Sequence, residues 1–433
     1  MKIELPVLLL CSLLVGCSGS GSVDSGEENT TNIDELARDY LFLELSMGRH
    51  DSTHVDAYFG PEEIQVAANE SQLSLDEIDA RAITLLQQLR DAMPAEADKM
   101  RSSRIAGLIA RLTALNTRIS LNQGQTISFD EESLQLFGTR APDYDAAHFE
   151  SILVEIDALI AGEGDLPKRV NDFRDQFVIP TDKLPVVFDA AINECRRRTL
   201  EYIDLPDNES FSIEYVNDKP WSGYNWYQGN AQSLIQINTD LPTFISRAVD
   251  LGCHEGYPGH HTFNALLEKN LVVDQGWLEF SLYPLFSPQS LIAEGSGNYG
   301  IDLAFPGEER VRFEQEILFP LAGLDANEAD RYYELLALLG QLNYAGNEAA
   351  RDYLNGDISR EEAVQWLVDY SLTSPERALK RTDFFDTYRS YVINYNLGKD
   401  MVRAYVEHGT NDAVARWDRF QLMLSTPMLP SDL

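Results

Sequence analysis

Apolar residues recur every three or four positions through most of this 433-residue chain, and this spacing limits more than any other feature how the chain can fold. Asn32 and Glu35 have the spacing of a helix-capping box. The apolar residues that follow at helical spacing are Ile33, Leu36, Ala37, Tyr40 and Leu41. The first helix is therefore predicted to start directly after Asn32.

The same spacing returns along the rest of the chain. From Leu75 it is carried by Ile78, Ala82, Leu85, Leu86 and Leu89. Ser359 and Glu362 form a second candidate capping box, which opens a helix at 359–370. Further helices are predicted at 99–121, 146–162, 185–203, 243–270, 308–321, 327–354 and 385–408. The fold class that follows is mainly α.

One region departs from the helical spacing. The segments FSIEYV (211–216), SGYNWYQGN (222–230) and SLIQINT (233–239) are rich in aromatic and β-branched residues and are separated by turn-forming residues. They predict a small antiparallel β-sheet that directly precedes a histidine cluster. Since no long polar linker follows residue 32, we expect 33–433 to be a single, mostly helical domain.

The composition supports a packed enzyme-sized domain and argues against some partners. Apolar residues make up 44% of the chain and aromatic residues 10%, enough for a sizeable core. Acidic residues outnumber basic ones 70 to 34, and the formal net charge is −36. Such a chain is repelled by phosphate backbones, so we expect no nucleic-acid partner.

The N-terminus resembles a bacterial lipoprotein signal. An apolar run at 5–15, too short to span a bilayer, is followed by Gly16 and Cys17. The resemblance implies a signal peptide at 1–16, a lipid on Cys17 and a flexible tether at 17–32. The alternative is a plain secretory signal with an incidental cysteine.

This reading also predicts a location. No aspartate follows Cys17, which by resemblance to lipoprotein sorting signals favours the outer membrane of a Gram-negative envelope, with the protein facing the periplasm. If Cys11 leaves with the signal and Cys17 is lipidated, only Cys195 and Cys253 remain. An oxidising compartment permits a disulfide between them, although the sequence leaves their proximity open.

The segment GCHEGYPGHHTF (252–263) holds three of the seven histidines within eight residues. His254 and Glu255 begin the zinc-hydrolase helix motif His-Glu-x-x-His, but Pro258 stands where the second histidine belongs. In an undistorted helix His260 would lie about 120° around from His254, and His261 about 10 Å further along the axis. Neither position suits one tetrahedral metal.

Pro258 and Gly259 can distort the helix so that a later histidine faces His254. Pro258 lacks an N–H and its ring clashes with the preceding turn, so a helix must kink or bulge there. Gly259 lets the chain take a new direction. We therefore expect His260 or His261 to turn back towards His254, whereas the competing interpretation is a loop with surface histidines.

A third ligand is needed for a catalytic zinc site. Glu294 lies forty residues after His254, in LIAEGSGNYGIDL, where it is placed to open another helix. Asn298 and Asp302 lie on nearly the same face of that helix. They would either orient the metal ligands or face solvent.

Three motifs resemble one family. HEGYPGHH (254–261) is similar to the His-Glu-x-x-Pro-Gly-His-His signature of the bacterial "domain of unknown function 885" family, which is placed with the gluzincin-like zinc metallopeptidases. AEGSGNY (293–299) and NYNLGKDMVR (394–403) resemble two further segments of that family. The likeness covers about residues 35 to 410.

The resemblance implies a site. Its zinc ligands are His254, His260 and Glu294, its general base is Glu255, and Tyr395 is the candidate donor to an oxyanion. His261 is left as a neighbour that touches substrate. The family usually has tryptophan at the place of Ser296 and an acid at that of Ile301, so the pocket shape and the surroundings of the ligands are where this chain departs.

The function predicted from these residues is a lipid-anchored zinc metallopeptidase that hydrolyses peptides or small proteins. Its large helical domain carries the small sheet next to the active site, and the strand SLIQIN could either bind an extended peptide or cover the core. The alternatives are a zinc-dependent amidase or esterase and a non-catalytic, envelope-binding lipoprotein.

Overall fold

Helices dominate the parts of the chain that the computed structural model describes, which are residues 32–93, 99–219 and 221–433. The predicted signal peptide, Cys17 and the tether up to Thr31 lie outside these residues. Asn32–Leu433 form one compact unit. None of the described helices is both long enough and apolar enough to span a bilayer. The mainly α fold class is confirmed.

The described residues form nineteen α-helices. Those before the sheet region are α1 (Ile33–Met47), α2 (Glu62–Ser71), α3 (Leu75–Asp91), α4 (Lys99–Asn122), α5 (Phe129–Phe137), α6 (Ala146–Leu159), α7 (Leu166–Arg174) and α8 (Leu184–Thr199). Those after it are α9 (Ser246–Leu251), α10 (His260–Leu267), α11 (Pro288–Ala304), α12 (Glu309–Phe313), α13 (Phe319–Ala322), α14 (Ala329–Gln341), α15 (Ala345–Asn355), α16 (Arg360–Tyr370), α17 (Pro375–Tyr388), α18 (Ile393–Glu407) and α19 (Ala413–Ser425).

The first helices form where the apolar spacing predicts them. Asn32 caps α1 by accepting a hydrogen bond from the Asp34 amide. The predicted apolar residues of α1 and of α3 are all buried, and these faces pack together with α2 and α4 in one hydrophobic cluster. The capping box of Ser359 and Glu362 is present at the start of α16 with both of its hydrogen bonds.

Four predicted helices are interrupted. The range 385–408 contains the end of α17, a 3₁₀-helical segment Arg389–Val392 and α18. The range 327–354 contains two helices, α14 and α15, and 308–321 contains α12, a π-helical segment Glu314–Leu318 and α13. The range 243–270 breaks within the histidine cluster, as described below. Apolar spacing continues across these breaks because the neighbouring segments pack on the same core, so the pattern alone does not reveal them.

The small sheet lies where it was predicted, but its antiparallel prediction is wrong for one pair. Its strands are β2 (Ser210–Val216), β3 (Gly223–Gly229) and β4 (Gln232–Asn238), in the order β2-β4-β3. β3 and β4 form an antiparallel hairpin, whereas β2 runs parallel to β4. The chain leaving β2 passes the end of β4 before it enters β3, and the Asn238 side chain holds it there by donating to the carbonyls of Lys219 and Trp221.

This order also corrects the prediction for SLIQIN. The segment forms β4, the central strand, which is hydrogen-bonded on both sides. It therefore covers the core and has no free edge for a peptide. β3 is an edge strand of this sheet, and a second pairing, of β1 (Val55–Tyr58) with β5 (Leu282–Pro284), lies outside it.

The helices α11 and α18 cross at very short range. A side chain on Gly295 would place its Cβ 2.4 Å from the carbonyl oxygen of Gly398, so only glycine fits there. Gly398 is as tightly placed, since its Cβ would lie 2.7 Å from the carbonyl oxygen of Leu291. This contact brings Glu294 on α11 next to the tyrosines that precede and begin α18.

Candidate metal centre

The histidine cluster is built on a broken helix. α9 continues into a π-helical segment, Gly252–Gly256, the chain becomes extended at Tyr257, and α10 starts at His260. The amide of Gly259 donates to the carbonyl of Cys253, and a Cβ on this glycine would lie 1.9 Å from the His254 carbonyl oxygen. Pro258 and Gly259 thus mark a reversal of the helix, as their chemistry predicts.

The break brings the predicted ligands together. One potential ligand atom from each of His254, Glu255 and His260 lies within 4.8 Å of the others, and the rings of the two histidines are 4.6 Å apart. Glu294 reaches this point from α11. Its Oε2 lies 3.2 Å from Nε2 of His254 and its Oε1 lies 3.7 Å from Nε2 of His260.

The two oxygens of the Glu294 carboxylate have different surroundings. Tyr391 donates a hydrogen bond of 2.8 Å to its Oε1. Oε2 is buried, yet among the described residues it has no hydrogen-bond partner, because His254 lies close to it without hydrogen-bond geometry. A buried oxygen of this kind needs a partner. Two imidazole nitrogens and one carboxylate oxygen that converge on one point are a donor set that suits zinc.

The charges at the centre are strongly coupled. Burial would raise the pKa of Glu294, but His254 and His260 outweigh it and hold that pKa far below its usual range. Burial would lower the pKa of His260, but Glu294, Glu255 and Asp56 raise it to about 9. The acidic side chains therefore make this point of the molecule attractive to a cation.

Glu255 lies beside His254 and His260. Burial raises the pKa of its carboxyl group above the usual range, although the two histidines act in the opposite direction. Its backbone carbonyl accepts a hydrogen bond of 2.6 Å from the Asn225 side chain on β3. Gly223 on the same strand is packed so closely that a Cβ there would lie 2.8 Å from Glu255 Oε1. Strand β3 thus fixes the segment that carries this glutamate.

His261 points away from the centre. Its ring is fully buried, with Nδ1 2.8 Å from Ser233 Oγ and Nε2 3.1 Å from Glu209 Oε2. Glu209 also accepts hydrogen bonds from Tyr257 and Arg196. Of the two adjacent histidines, His260 is therefore the one that lies next to His254 and Glu294. The expectation that His261 touches substrate is wrong, because its ring is used to attach α10 to the sheet.

Asn298 and Asp302 were expected either to orient the metal ligands or to face solvent, and both contact residues of α18. Asn298 donates a hydrogen bond of 3.1 Å to the backbone carbonyl of Tyr395 and so links α11 to α18. Asp302 pairs with Lys399 and Arg403 at 2.8 and 2.6 Å on the partly exposed side of α11. Close to His254 the notable neighbour is instead Gly297, where a Cβ would lie 2.8 Å from the His254 ring.

Tyr395 lines the same cleft as the metal centre. Burial raises the pKa of its phenol well above the usual range, and the nearby charge of Glu294 acts in the same direction. The hydroxyl therefore stays protonated and able to donate. Tyr391, one helical turn earlier and 5.8 Å away between ring centres, is the tyrosine that contacts Glu294.

Sequence reasoning missed Asp56 and Tyr391. Asp56 comes from β1, far away along the chain, and lines the cleft with the two histidines. Burial raises its pKa to about 7, against the charge of His260 and a hydrogen bond from Tyr224. No pattern in the sequence marks this aspartate, whereas the helical spacing of Tyr391 and Tyr395 could have placed both tyrosines on one face.

The two cysteines whose proximity the sequence leaves open form a disulfide. Cys195 on α8 is bonded to Cys253, the residue directly before His254. The bond ties the π-helical segment to α8 in a buried core. It thereby fixes the backbone next to a candidate ligand.

The centre opens into a cleft of about 910 Å³. Its lining includes residues of β1, β3, α9, α11 and α17 together with the candidate ligands. This volume lies near the upper end of about 300–1,000 Å³ for ligand pockets.

Comparisons with known proteins found fold-level likenesses only. No family model and no curated protein matches the chain. Among solved structures, a candidate lipoprotein from Colwellia psychrerythraea is 14% identical, with 91% of this chain and 74% of that chain covered and a TM-score of 0.48. Metallocarboxypeptidase 1 of Trypanosoma cruzi (TM-score 0.41) and the M32 carboxypeptidase of Deinococcus radiodurans R1 (0.42) are each 12% identical, with 90% and 88% covered. These low identities and TM-scores carry no information about the function of this chain.

Proposed function

We propose that the protein is a zinc-dependent hydrolase that cleaves peptide bonds. The observation that carries this proposal is the convergence of His254, His260 and Glu294 beside Glu255, with a buried carboxylate oxygen that has no hydrogen-bond partner among the described residues. Zinc held by these three side chains would polarise a substrate carbonyl and make a coordinated water acidic near neutral pH.

Side chains of the protein accept the proton, orient the ligand Glu294 and stabilise the oxyanion. Glu255 accepts the proton of the attacking water, a role for which its burial and raised pKa suit it. Tyr391 orients Glu294 through its hydrogen bond. Tyr395 donates a hydrogen bond from its hydroxyl to the oxyanion that forms on the carbonyl, since it lines the cleft in protonated form.

The peptide itself is proposed to lie along β3. This strand is an edge of its sheet, and Gly223, Tyr224 and Asn225 line the cleft beside Glu255. Backbone groups at a sheet edge bind an extended peptide without regard to its side chains. The partners expected are therefore peptides or small proteins.

We further propose a location in the envelope of a Gram-negative bacterium, with a lipid on Cys17 anchoring the protein to the outer membrane so that it faces the periplasm. The disulfide between Cys195 and Cys253 supports this proposal, because such bonds persist in oxidising compartments. The net charge of −36 supports the absence of a nucleic-acid partner.

The test combines metal analysis with a digest of a peptide library. Purified protein should contain about one zinc per chain, as the three-ligand site requires, and should cleave peptides until a chelator removes the metal. Cleavage only of esters or non-peptide amides would favour the alternative hydrolase. Zinc-free protein that cleaves nothing would favour a non-catalytic, envelope-binding lipoprotein.

A further inference from the structure

The cleft beside the metal centre has a charge balance unlike that of the chain. In the whole sequence 70 acidic residues face 34 basic ones. The cleft, in contrast, is lined by five acidic and six basic residues. The basic ones are Arg174, Lys219, Arg247, Arg377, Lys380 and Arg381. Positive charge is thus concentrated in a protein that is otherwise poor in it.

The acidic residues of the cleft do not neutralise all of this charge. Three of the five are those already described at the metal centre. The other two are Asp240, 3.7 Å from Lys380 Nζ, and Asp250, 3.4 Å from Arg247 Nη1. Each of these two acids is therefore already paired, and its partner is not one of the remaining arginines.

Arg174, Arg377 and Arg381 form what we name the arginine row. Among the described residues none of the three has an ion-pair partner. The guanidinium carbons of Arg174 and Arg377 lie 4.6 and 5.2 Å from the centre of the Phe244 ring. Arg381 follows Arg377 by one turn of α17, so both project from the same side of that helix.

The row ends near the metal centre. The guanidinium carbon of Arg381 lies 4.8 Å from the centre of the Phe384 ring and 5.9 Å from that of Tyr395. Tyr395 in turn stands next to Tyr391, the residue that donates to Glu294. Aromatic rings hold the Arg381 guanidinium in place, but within the described residues it has no hydrogen-bond acceptor.

Unpaired guanidinium groups in a partly buried cleft require a counter-charge. Burial lowers the pKa of all three arginines, and Arg174 and Arg377 also repel each other. Guanidinium nevertheless stays charged in proteins. Arg377 already donates a hydrogen bond of 3.0 Å to the Pro242 carbonyl, which carries no charge. An anion that enters the cleft therefore relieves the repulsion and supplies the charged acceptor that these arginines lack.

We propose that the arginine row binds a carboxylate of the substrate, with Arg381 as the member closest to the bond that is cleaved. The planar guanidinium fork matches the two oxygens of a carboxylate. A peptide offers this group at its C-terminus or on an Asp or Glu side chain. The inference rests on the proposed function, because it assumes that the metal centre acts on a peptide held in this cleft.

The experiment measures binding without turnover. Zinc-loaded Glu255→Gln protein is titrated into three fluorescein-labelled pools of random hexapeptides, followed by fluorescence anisotropy. One pool has no acidic residues and a free C-terminus, one has no acidic residues and an amidated C-terminus, and one is amidated but contains a single Glu. We expect one carboxylate-bearing pool to bind about ten-fold or more tightly than the neutral pool.

Substitutions assign the preference to the row. In the Glu255→Gln background, Arg381→Gln should abolish the preference, and Arg381→Lys, which keeps the charge without the fork, should keep part of it. Arg312→Gln, an equal charge change at an exposed residue outside the cleft, should leave the preference intact. The lysine variant also tests the inference should the glutamine variant not fold.

The outcomes separate this inference from the proposed function. Preference for the free C-terminus identifies the α-carboxylate, and preference for the Glu pool identifies the side chain. Equal binding of all pools, no binding, or a preference that survives both substitutions at Arg381 overturns the inference, even if the wild-type protein hydrolyses peptides. A carboxylate preference without hydrolysis by the wild type overturns the proposed function and leaves the binding site standing.

Discussion

Two histidine–glutamate clusters flank the start of α10. In the closed cluster, formed by His261, Glu209 and Ser233, both ring nitrogens of the histidine lie within hydrogen-bond distance of a partner. In the open cluster, formed by His254, His260 and Glu294, a buried carboxylate oxygen has no such partner among the described residues. The same residue types thus build a structural anchor on one side and a candidate metal site on the other.

The two clusters differ in whether their ligand atoms already have partners and in whether they line the cleft. The ring of His261 is fully buried and its ligand atoms are used within the protein. His254, His260 and Glu294 line the cleft, and the carboxylate oxygens of Glu294 lie 3.2 Å from His254 Nε2 and 3.7 Å from His260 Nε2. We therefore expect substitutions at the open cluster to reduce hydrolysis or zinc binding, and substitutions at the closed cluster to reduce the stability of the fold.

The largest effect is expected at Glu255. Replacing it with Gln removes the proton acceptor but leaves the three ligands, so the hydrolysis rate should fall by about 10²- to 10⁴-fold. Zinc content, measured by inductively coupled plasma mass spectrometry, should stay near that of the wild type. Glu150→Gln, the same change at an exposed residue of α6 outside the cleft lining, serves as the control. Undiminished hydrolysis by Glu255→Gln would rule out this mechanism.

The closed cluster should matter for stability. His261→Ala leaves Glu209 with one buried partner fewer, and we expect the free energy of unfolding to fall by about 3 kcal/mol. Urea denaturation followed by circular dichroism measures this loss. His408→Ala, at an exposed histidine, should change little. A stable His261→Ala protein without zinc would reverse the roles assigned to the two clusters.

Tyr391 tests how the open cluster is oriented. Tyr391→Phe removes the hydrogen bond to Glu294 Oε1, so zinc affinity should fall by about 10- to 100-fold in a chelator competition. Tyr388→Phe is the matched control, because Tyr388 lines the same cleft without a hydrogen bond to Glu294. Equal affinities of the two variants would show that this hydrogen bond does not tune the metal site.

The smallest effect expected is the pH dependence of the closed cluster. Burial would raise the pKa of Glu209, but His261, Tyr257 and Arg196 outweigh it and lower the pKa to about 2. A lowered pKa stabilises the folded protein above the unfolded value of about 4.5 and loses this contribution as the pH falls towards 2.

Wild-type protein should therefore lose about 2 kcal/mol of unfolding free energy through this group between pH 7 and pH 3. Glu209→Gln should show a correspondingly shallower pH dependence in urea denaturation at the same pH values. Identical slopes for the two proteins would remove Glu209 from this account.

The sequence predicted those parts of the fold that depend on local spacing. The apolar faces of α1 and α3 and the capping box at Ser359 follow from neighbours a few residues apart. The break at Pro258 and Gly259 also follows from local chemistry. The parallel pairing of β2 with β4 could not be predicted, because it depends on where the chain passes the end of β4.

In the candidate site, the sequence predicted the residues that lie in motifs but not those that the tertiary fold brings in from distant segments. His254, His260 and Glu294 were named from their spacing and a family resemblance, and the structure brings them together. Helix geometry alone left the choice between His260 and His261 open, and the resemblance favoured His260; the backbone of the broken helix shows why His260 and not His261 lies next to His254. Asp56 and the disulfide of Cys195 with Cys253 come from distant segments that only the tertiary fold brings close.

The zinc content of the two adjacent histidine variants decides whether His260 holds the metal. Wild-type, His260→Ala and His261→Ala proteins are purified in parallel, loaded with zinc and analysed by inductively coupled plasma mass spectrometry. We expect about one zinc per chain in the wild type and in His261→Ala, and little zinc in His260→Ala. Full zinc content in His260→Ala would contradict the claim that His254, His260 and Glu294 form the metal site.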